Sequence, residues 1–281
     1  MSFSQRLAAA VIQTDTPLCI GIDPWLDRLP GRTDTSDTPE LVSLTRRFAL
    51  AVISAAAGQV PAVKPQFAFF EQLGPPGMAI LAEACTAARD RGLLVVGDAK
   101  RGDIGSTATA YARATLWPGA PFPCDALTVS PFLGPDTLAP FLEAVDEHQR
   151  GLFVLLRTSN PGSHRWQAAL RDDLAGWIEG ENLRRGRGLG PVGAVEGATR
   201  PEELAELRAA MPGTWLLVPG MGAQGGSAGD ARAALLPGGT GALLNSARGA
   251  TFPAQADTAY DDDPTSWIAA RIAVIKAELA G

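Results

Sequence analysis

The chain has 281 residues, of which 46% are hydrophobic and 19% charged, and its formal net charge is −6. That length allows one large domain or two smaller ones, and the composition is that of a globular protein in water. An acidic balance without a long basic run argues against nucleic acid, whose phosphates call for a basic face, and no apolar stretch approaches the ~20 residues of a membrane span.

The opening stretch, MSFSQRLAAAVIQT, reads as a short leading helix. Its apolar run is brief and lacks the charged start and cleavage site of a secretory leader. Candidate strand 1, PLCIGID (17–23), ends in Asp23. Thr38-Pro39-Glu40 reads as an N-cap with proline at the first helical position, and Gly58 closes that helix. Candidate strand 2, VPAVK (60–64), ends in Lys64. Candidate strand 3, LLVVGDAK (93–100), ends in Asp98 and Lys100. These two are expected on one strand face because side chains alternate with period two. Strands 4 and 5 follow as DALTVS (125–130) and LFVLLRTS (152–159). The segment RTSNPGS (157–163) offers Ser159 as a hydrogen-bonding group and is otherwise turn chemistry. Strand 6, PVGAVEG (191–197), carries Glu196, which could face the interior and has no assigned role. Thr199 with Glu202 has the spacing of a capping box. Strands 7 and 8, TWLLVPG (214–220) and GALLNSA (241–247), run into VPGMGAQGG (218–226) and NSARG (245–249). The tail, SWIAARIAVIKAEL, has helical periodicity and should pack on the outside.

Continuous apolar runs suit parallel strands covered on both faces. Eight such runs alternating with helices predict an α/β fold, a (β/α)8 TIM barrel forming a single domain over 1–281 with a short N-terminal helix. An open doubly wound sheet is the other arrangement of the same elements. In a barrel the active site lies at the C-terminal strand ends, so Asp23, Lys64, Asp98 and Lys100 converge on one mouth. The chain has only three lysines, Lys64, Lys100 and Lys276, and two of them point there. Salt bridges at strand ends also serve purely structural ends in such barrels. The loops after strands 7 and 8 are the usual phosphate site of the fold, with backbone N–H donors and Arg248 as a bidentate clamp. Glycine-rich loops are otherwise ordinary turns. Cys19, Cys85 and Cys124 are scattered and form no CxxC pair, which argues against a disulfide framework and fits a reducing cytoplasm. With only His148 and His164, a histidine-rich zinc site is a poor reading, and His164 reads as a loop residue rather than a base.

Taken together, these segments resemble the orotidine 5′-phosphate decarboxylase family. Its D-x-K-x-x-D-I motif stands here as Asp98-Ala-Lys100-Arg-Gly-Asp103-Ile104, with GID matching at Asp23 and the strand-2 lysine at Lys64. SNPG, PGMGAQGG and NSARG match in order, so the likeness spans residues 21 to 249. FAFFEQLG after Lys64 and the long segment after strand 5 resemble the longer-chain bacterial subgroup. The resemblance implies a cofactor-free and metal-free decarboxylation of orotidine 5′-phosphate to uridine 5′-phosphate, the last step of de novo pyrimidine synthesis, in the cytoplasm. It implies Lys100, Asp98, Asp103 and Lys64 as catalytic. Substrate would be bound by Asp23, Ile104, Thr107, Ser159, Pro219, Gly220, Gln224, Asn245 and Arg248. It further implies a homodimer with two shared sites, in which Asp103, Ile104 and Thr107 reach into the neighbouring subunit. The related sugar-phosphate enzymes bind Mg²⁺ through a glutamate at the end of strand 2. Lys64 stands at that position, and an ammonium cannot ligate a metal and would repel it. A non-catalytic phosphoribosyl-binding barrel is the third reading, and it has no need of Asp98, Lys100 and Asp103 together.

Overall fold

Each of the eight apolar runs is a strand in the computed structural model, which describes residues 1–33, 35–186, 188–197, 201–220 and 228–280. The strands are β1 (Leu18–Ile22), β2 (Ala62–Pro65), β3 (Leu94–Arg101), β4 (Ala126–Val129), β5 (Gly151–Arg157), β6 (Val192–Glu196), β7 (Leu216–Pro219) and β8 (Ala242–Ser246). They pair in parallel and in chain order, and β8 closes on β1 through Leu18↔Leu244 and Ile20↔Ser246. The expected (β/α)8 barrel is therefore present, and closure rules out the open sheet.

Helices follow the strands, the longest over Thr38–Ala56, Gly74–Asp90, Arg171–Arg185 and Pro264–Ala280. The first of these starts one residue earlier than the sequence pattern suggests. Asp37, not Thr38, is the N-cap, because its carboxylate accepts from the Glu40 amide at 3.0 Å. Gly58 sits just past the helix end at φ +72°, a left-handed conformation that glycine adopts without strain. The capping-box pattern at Thr199 lies outside the described residues.

Strand alternation sorts the buried residues into two cores. Ile20, Val63, Val95, Leu127, Val154, Val218 and Leu244 face outward and pack under the helices against Phe48, Leu81 and Phe141. Cys19, Ala62, Val96, Ala126, Phe153, Val195, Leu217 and Leu243 face inward and fill the barrel floor. The leading helix, Phe3–Thr14, stops that floor from below with Phe3, Leu7 and Val11. The Phe3 ring meets Phe153 edge-on at 6.1 Å, and a Cβ at Gly151 would lie 2.2 Å from the Phe3 ring. Ser4 locks the plug, donating to the Leu189 carbonyl at 2.6 Å and accepting from Trp215 Nε1 at 2.8 Å. The tail helix packs outside as expected, burying Ile268, Ile272 and Ile275.

Candidate active site

Following the inward face upward, five of the strands turn from apolar to polar within one or two steps of the alternation. Cys19 gives way to Asp23, Ala62 to Lys64, Val96 to Asp98, Ala126 to Thr128 and Leu243 to Asn245. These polar ends line a cavity of about 390 Å³ at the C-terminal mouth. Two wider clefts, of about 600 and 590 Å³, flank the leading helix at the other end. One holds Arg6 paired to Asp125 at 2.6 Å, which ties the plug to the barrel. Neither contains a strand-end lysine.

Asp98 is the centre of the mouth. Its Oδ2 accepts from Lys64 Nζ at 2.6 Å and from Gln66 Nε2 at 2.9 Å. Its Oδ1 accepts from Lys100 Nζ at 2.5 Å and from Thr128 Oγ1 at 3.1 Å. Four donors thus occupy the acceptor positions of one carboxylate. Burial alone would push the Asp98 carboxyl up, but the Lys64 and Lys100 ammoniums outweigh it and hold the group well below the usual carboxylate range. Burial works in the same way to discharge Lys64, and Asp98 and Asp23 outweigh it, so Lys64 is held above its usual range. Asp23 has less support: burial pushes its carboxyl up, and Lys64 offsets this only in part. Beneath them burial pushes the Cys19 thiol up to about 12, so it stays protonated.

The two lysines differ in access. The Lys64 side chain is 4% exposed and that of Lys100 is 44% exposed. Among the described residues, five charged side chains line the cavity: Lys64, Lys100 and Arg248 against Asp23 and Asp98. Three cations against two anions leave one net positive charge, which suits an anionic ligand. Asp23 Oδ1 and Asn245 Oδ1 are buried without a hydrogen-bond partner in the cavity wall. Buried acceptors left open in a cavity wall mark where a ligand's O–H or N–H belongs. Among the described residues, no group of three or more His, Cys, Asp or Glu is placed to hold a metal ion.

The expected site residues divide into two sets. Asp23, Lys64, Asp98, Lys100, Ser159, Pro219, Gly220, Asn245 and Arg248 all line the one cavity. Asp103, Ile104 and Thr107 do not. Asp103 Oδ1 accepts from the Ile104 amide at 2.8 Å, and Ile104 is 64% exposed. Gln224 lies outside the described residues. Glu196 does not face the barrel interior. It follows the inward Val195 and turns to the other side, where it is buried beside Arg157 and Glu203. Gln66 and Thr128 are ligands of Asp98 that the sequence reading missed. Period two counted onward from Lys64 would have found Gln66. Thr128 gives no signal, since threonine is an ordinary strand residue.

The sequence profile of the "Orotidine 5'-phosphate decarboxylase / HUMPS family" matches residues 16–249. An orotidine 5′-phosphate decarboxylase of Rhodopirellula baltica is 48% identical over 268 residues, covering 90% of this chain and 89% of its own. That of Deinococcus radiodurans is 44% identical over 257 residues, with 89% of each chain covered. The solved structure of Leishmania donovani OMP decarboxylase superposes with a TM-score of 0.76 at 33% identity, covering 100% of both chains.

Proposed function

The chain belongs to the orotidine 5′-phosphate decarboxylase / HUMPS family, and from that premise we infer how its cavity performs the family's pyrimidine reaction. Its activity is the decarboxylation of orotidine 5′-phosphate to uridine 5′-phosphate and CO2, the last step of UMP biosynthesis. When CO2 leaves, the electron pair stays on C6 in an sp² orbital that the ring delocalises poorly. Charges fixed in advance around that carbon are therefore the main means of lowering the barrier. The observation that carries this reading is the Asp98 carboxylate held between the Lys64 and Lys100 ammoniums at the mouth.

In this reading Lys100 lies beside C6. The bond from C6 to the carboxylate breaks, CO2 departs, and a proton from Lys100 Nζ passes to C6. Water at the mouth then restores the ammonium. Asp98 keeps Lys100 placed, and its own charge repels the substrate carboxylate that is about to leave. The open acceptors of Asp23 and Asn245 suit the ribose hydroxyls. Arg248 and the Gly220 amide suit the phosphate, with Ser159 on the pyrimidine. Gln224, from the resemblance, would bridge phosphate and base. Binding energy from the phosphate, far from the reacting carbon, then helps assemble the site.

Asp103, Ile104 and Thr107 are assigned to the neighbouring subunit's site in a homodimer. This is supported by their standing outside this chain's cavity and by the exposure of Ile104, Phe132 and Leu133, which follow β3 and β4 in the chain. No described helix is long and apolar enough to cross a membrane, and a cytoplasmic location suits the reaction. Lys64 at the end of β2 repels a divalent cation, so turnover should not need one. The test is ultraviolet absorbance loss of orotidine 5′-phosphate with and without EDTA. Equal rates are expected. Activity lost in EDTA and restored by Mg²⁺ would overturn the metal-free reading.

A further inference from the structure

Among the described non-glycine residues, only Asp15, Lys100 and Gln149 have positive φ. Asp15 and Gln149 cap helix C-termini, where the left-handed conformation is routine. Lys100, at φ +48°, lies inside a strand. The cause is a break in register. β3 pairs with β4 through Gly97↔Leu127 and resumes only at Arg101↔Val129. Three residues of β3, Asp98 to Lys100, therefore face the single residue Thr128. On the other side, Asp98 keeps a backbone bridge to Gln66.

Such a bulge leaves amides without a strand partner, and Thr128 supplies one. Its Oγ1 accepts from the Ala99 amide at 3.0 Å and from the Lys100 amide at 2.9 Å. With both lone pairs filled, its only hydrogen points to Asp98 Oδ1, 3.1 Å away. That is the oxygen that also holds Lys100 Nζ. Thr128 is 1% exposed, so water does not substitute for these bonds.

We propose that Thr128 is a positioning residue for the decarboxylation, its hydroxyl fixing both the backbone and the ammonium of Lys100. One hydroxyl joins the strained backbone of the proton donor to the carboxylate that steers its side chain. The proposal rests on Lys100 being the proton donor.

The test compares Thr128→Val, which keeps the shape and removes the hydroxyl, with Thr128→Ser, which keeps the hydroxyl and removes the methyl. A misplacement near 1 Å costs about 10²-fold in turnover, so Thr128→Val should lower kcat by about that factor while KM and uridine 5′-phosphate affinity stay within about threefold. Thr128→Ser should return kcat to within about threefold of the parent. A parental kcat in Thr128→Val, an equal loss in both variants, or a loss confined to KM would overturn the proposal. Where Thr128→Val does not melt cooperatively, Thr128→Ala carries the same comparison. Lys100→Ala, measured alongside, separates the two readings. Turnover retained in Lys100→Ala defeats the donor role itself. An inactive Lys100→Ala beside a fully active Thr128→Val defeats only the positioning role.

Discussion

Replacing Lys64 with Met keeps a long apolar stem and deletes one charge from the barrel mouth. Asp98 then retains Lys100, Gln66 and Thr128. Lys100 is 44% exposed, so solvent screens much of its help. Asp23 loses its main countercharge as well. Breaking a buried ion pair by removing one partner costs about 3–5 kcal/mol. A second route to the magnitude is protonation. Lifting the Asp98 carboxyl from its usual 3.8 to neutrality costs about 1.4 kcal/mol per unit, or roughly 4 kcal/mol at pH 7. The two estimates agree. They also fix a pH dependence. In the parent, the Asp98 pKa is depressed, so its contribution is present above about 3.8 and lost as pH falls through the folded value. In the variant the folded pKa rises, so stability is greatest below about 3.8 and declines as pH rises. The deficit of Lys64→Met should therefore be about 4 kcal/mol at pH 7 and about 2 kcal/mol smaller at pH 5.5. Urea unfolding followed by tryptophan fluorescence at both pH values measures it. A deficit under about 1 kcal/mol at pH 7, or one that does not change with pH, would refute the idea that Lys64 neutralises a buried carboxylate.

Asp23→Asn should raise the urea midpoint of the unliganded protein at pH 7, because burial already disfavours that charge, and should weaken uridine 5′-phosphate binding by calorimetry. A lowered midpoint would contradict it. Arg248→Ala should reduce kcat/KM by one to two decades, from the roughly 1.5–3 kcal/mol of a charge-assisted guanidinium–phosphate contact. An unchanged value would move the phosphate site elsewhere. Lys100→Ala and Asp103→Ala chains, each inactive alone, should recover roughly a quarter of parental activity after subunit exchange, since about half the dimers are mixed and each has one intact site. Exchange proven by mass spectrometry without recovery would place Asp103 in its own subunit's site.

The barrel was legible because a strand covered on both faces needs apolar residues along its length, as LFVLL in β5 shows. The candidate site was legible where charge interrupts those runs, at Asp23, Lys64, Asp98 and Lys100, which line one cavity. What escaped was local geometry. Ala99-Lys100 contains no glycine, so nothing in the letters announces a left-handed residue, and the period-two argument for Lys100 reached the right contact by the wrong route. The bulge, not alternation, brings Lys100 back to Asp98. Asp37 and Thr38 are both good caps, and only the helix register decides between them. Thr128 and Gln66 are uncharged, and their part appears only once Asp98 stands between them. Asp103 and Ile104 are plain in the motif, yet a single chain does not bring them to its own cavity.

The uneven access of the three lysines has a practical side. Lys64 is sealed under Asp98, and Lys276 spends its ammonium on the Thr14 and Gln59 carbonyls at 3.0 and 2.9 Å. Lys100 is therefore, apart from the N-terminal amine, the side chain best placed to meet an amine-selective acylating reagent. Its labelling rate becomes an occupancy gauge for the mouth: a nucleotide seated there shields Lys100, and a tryptic mass map reads the shielding one lysine at a time, without any assay of turnover.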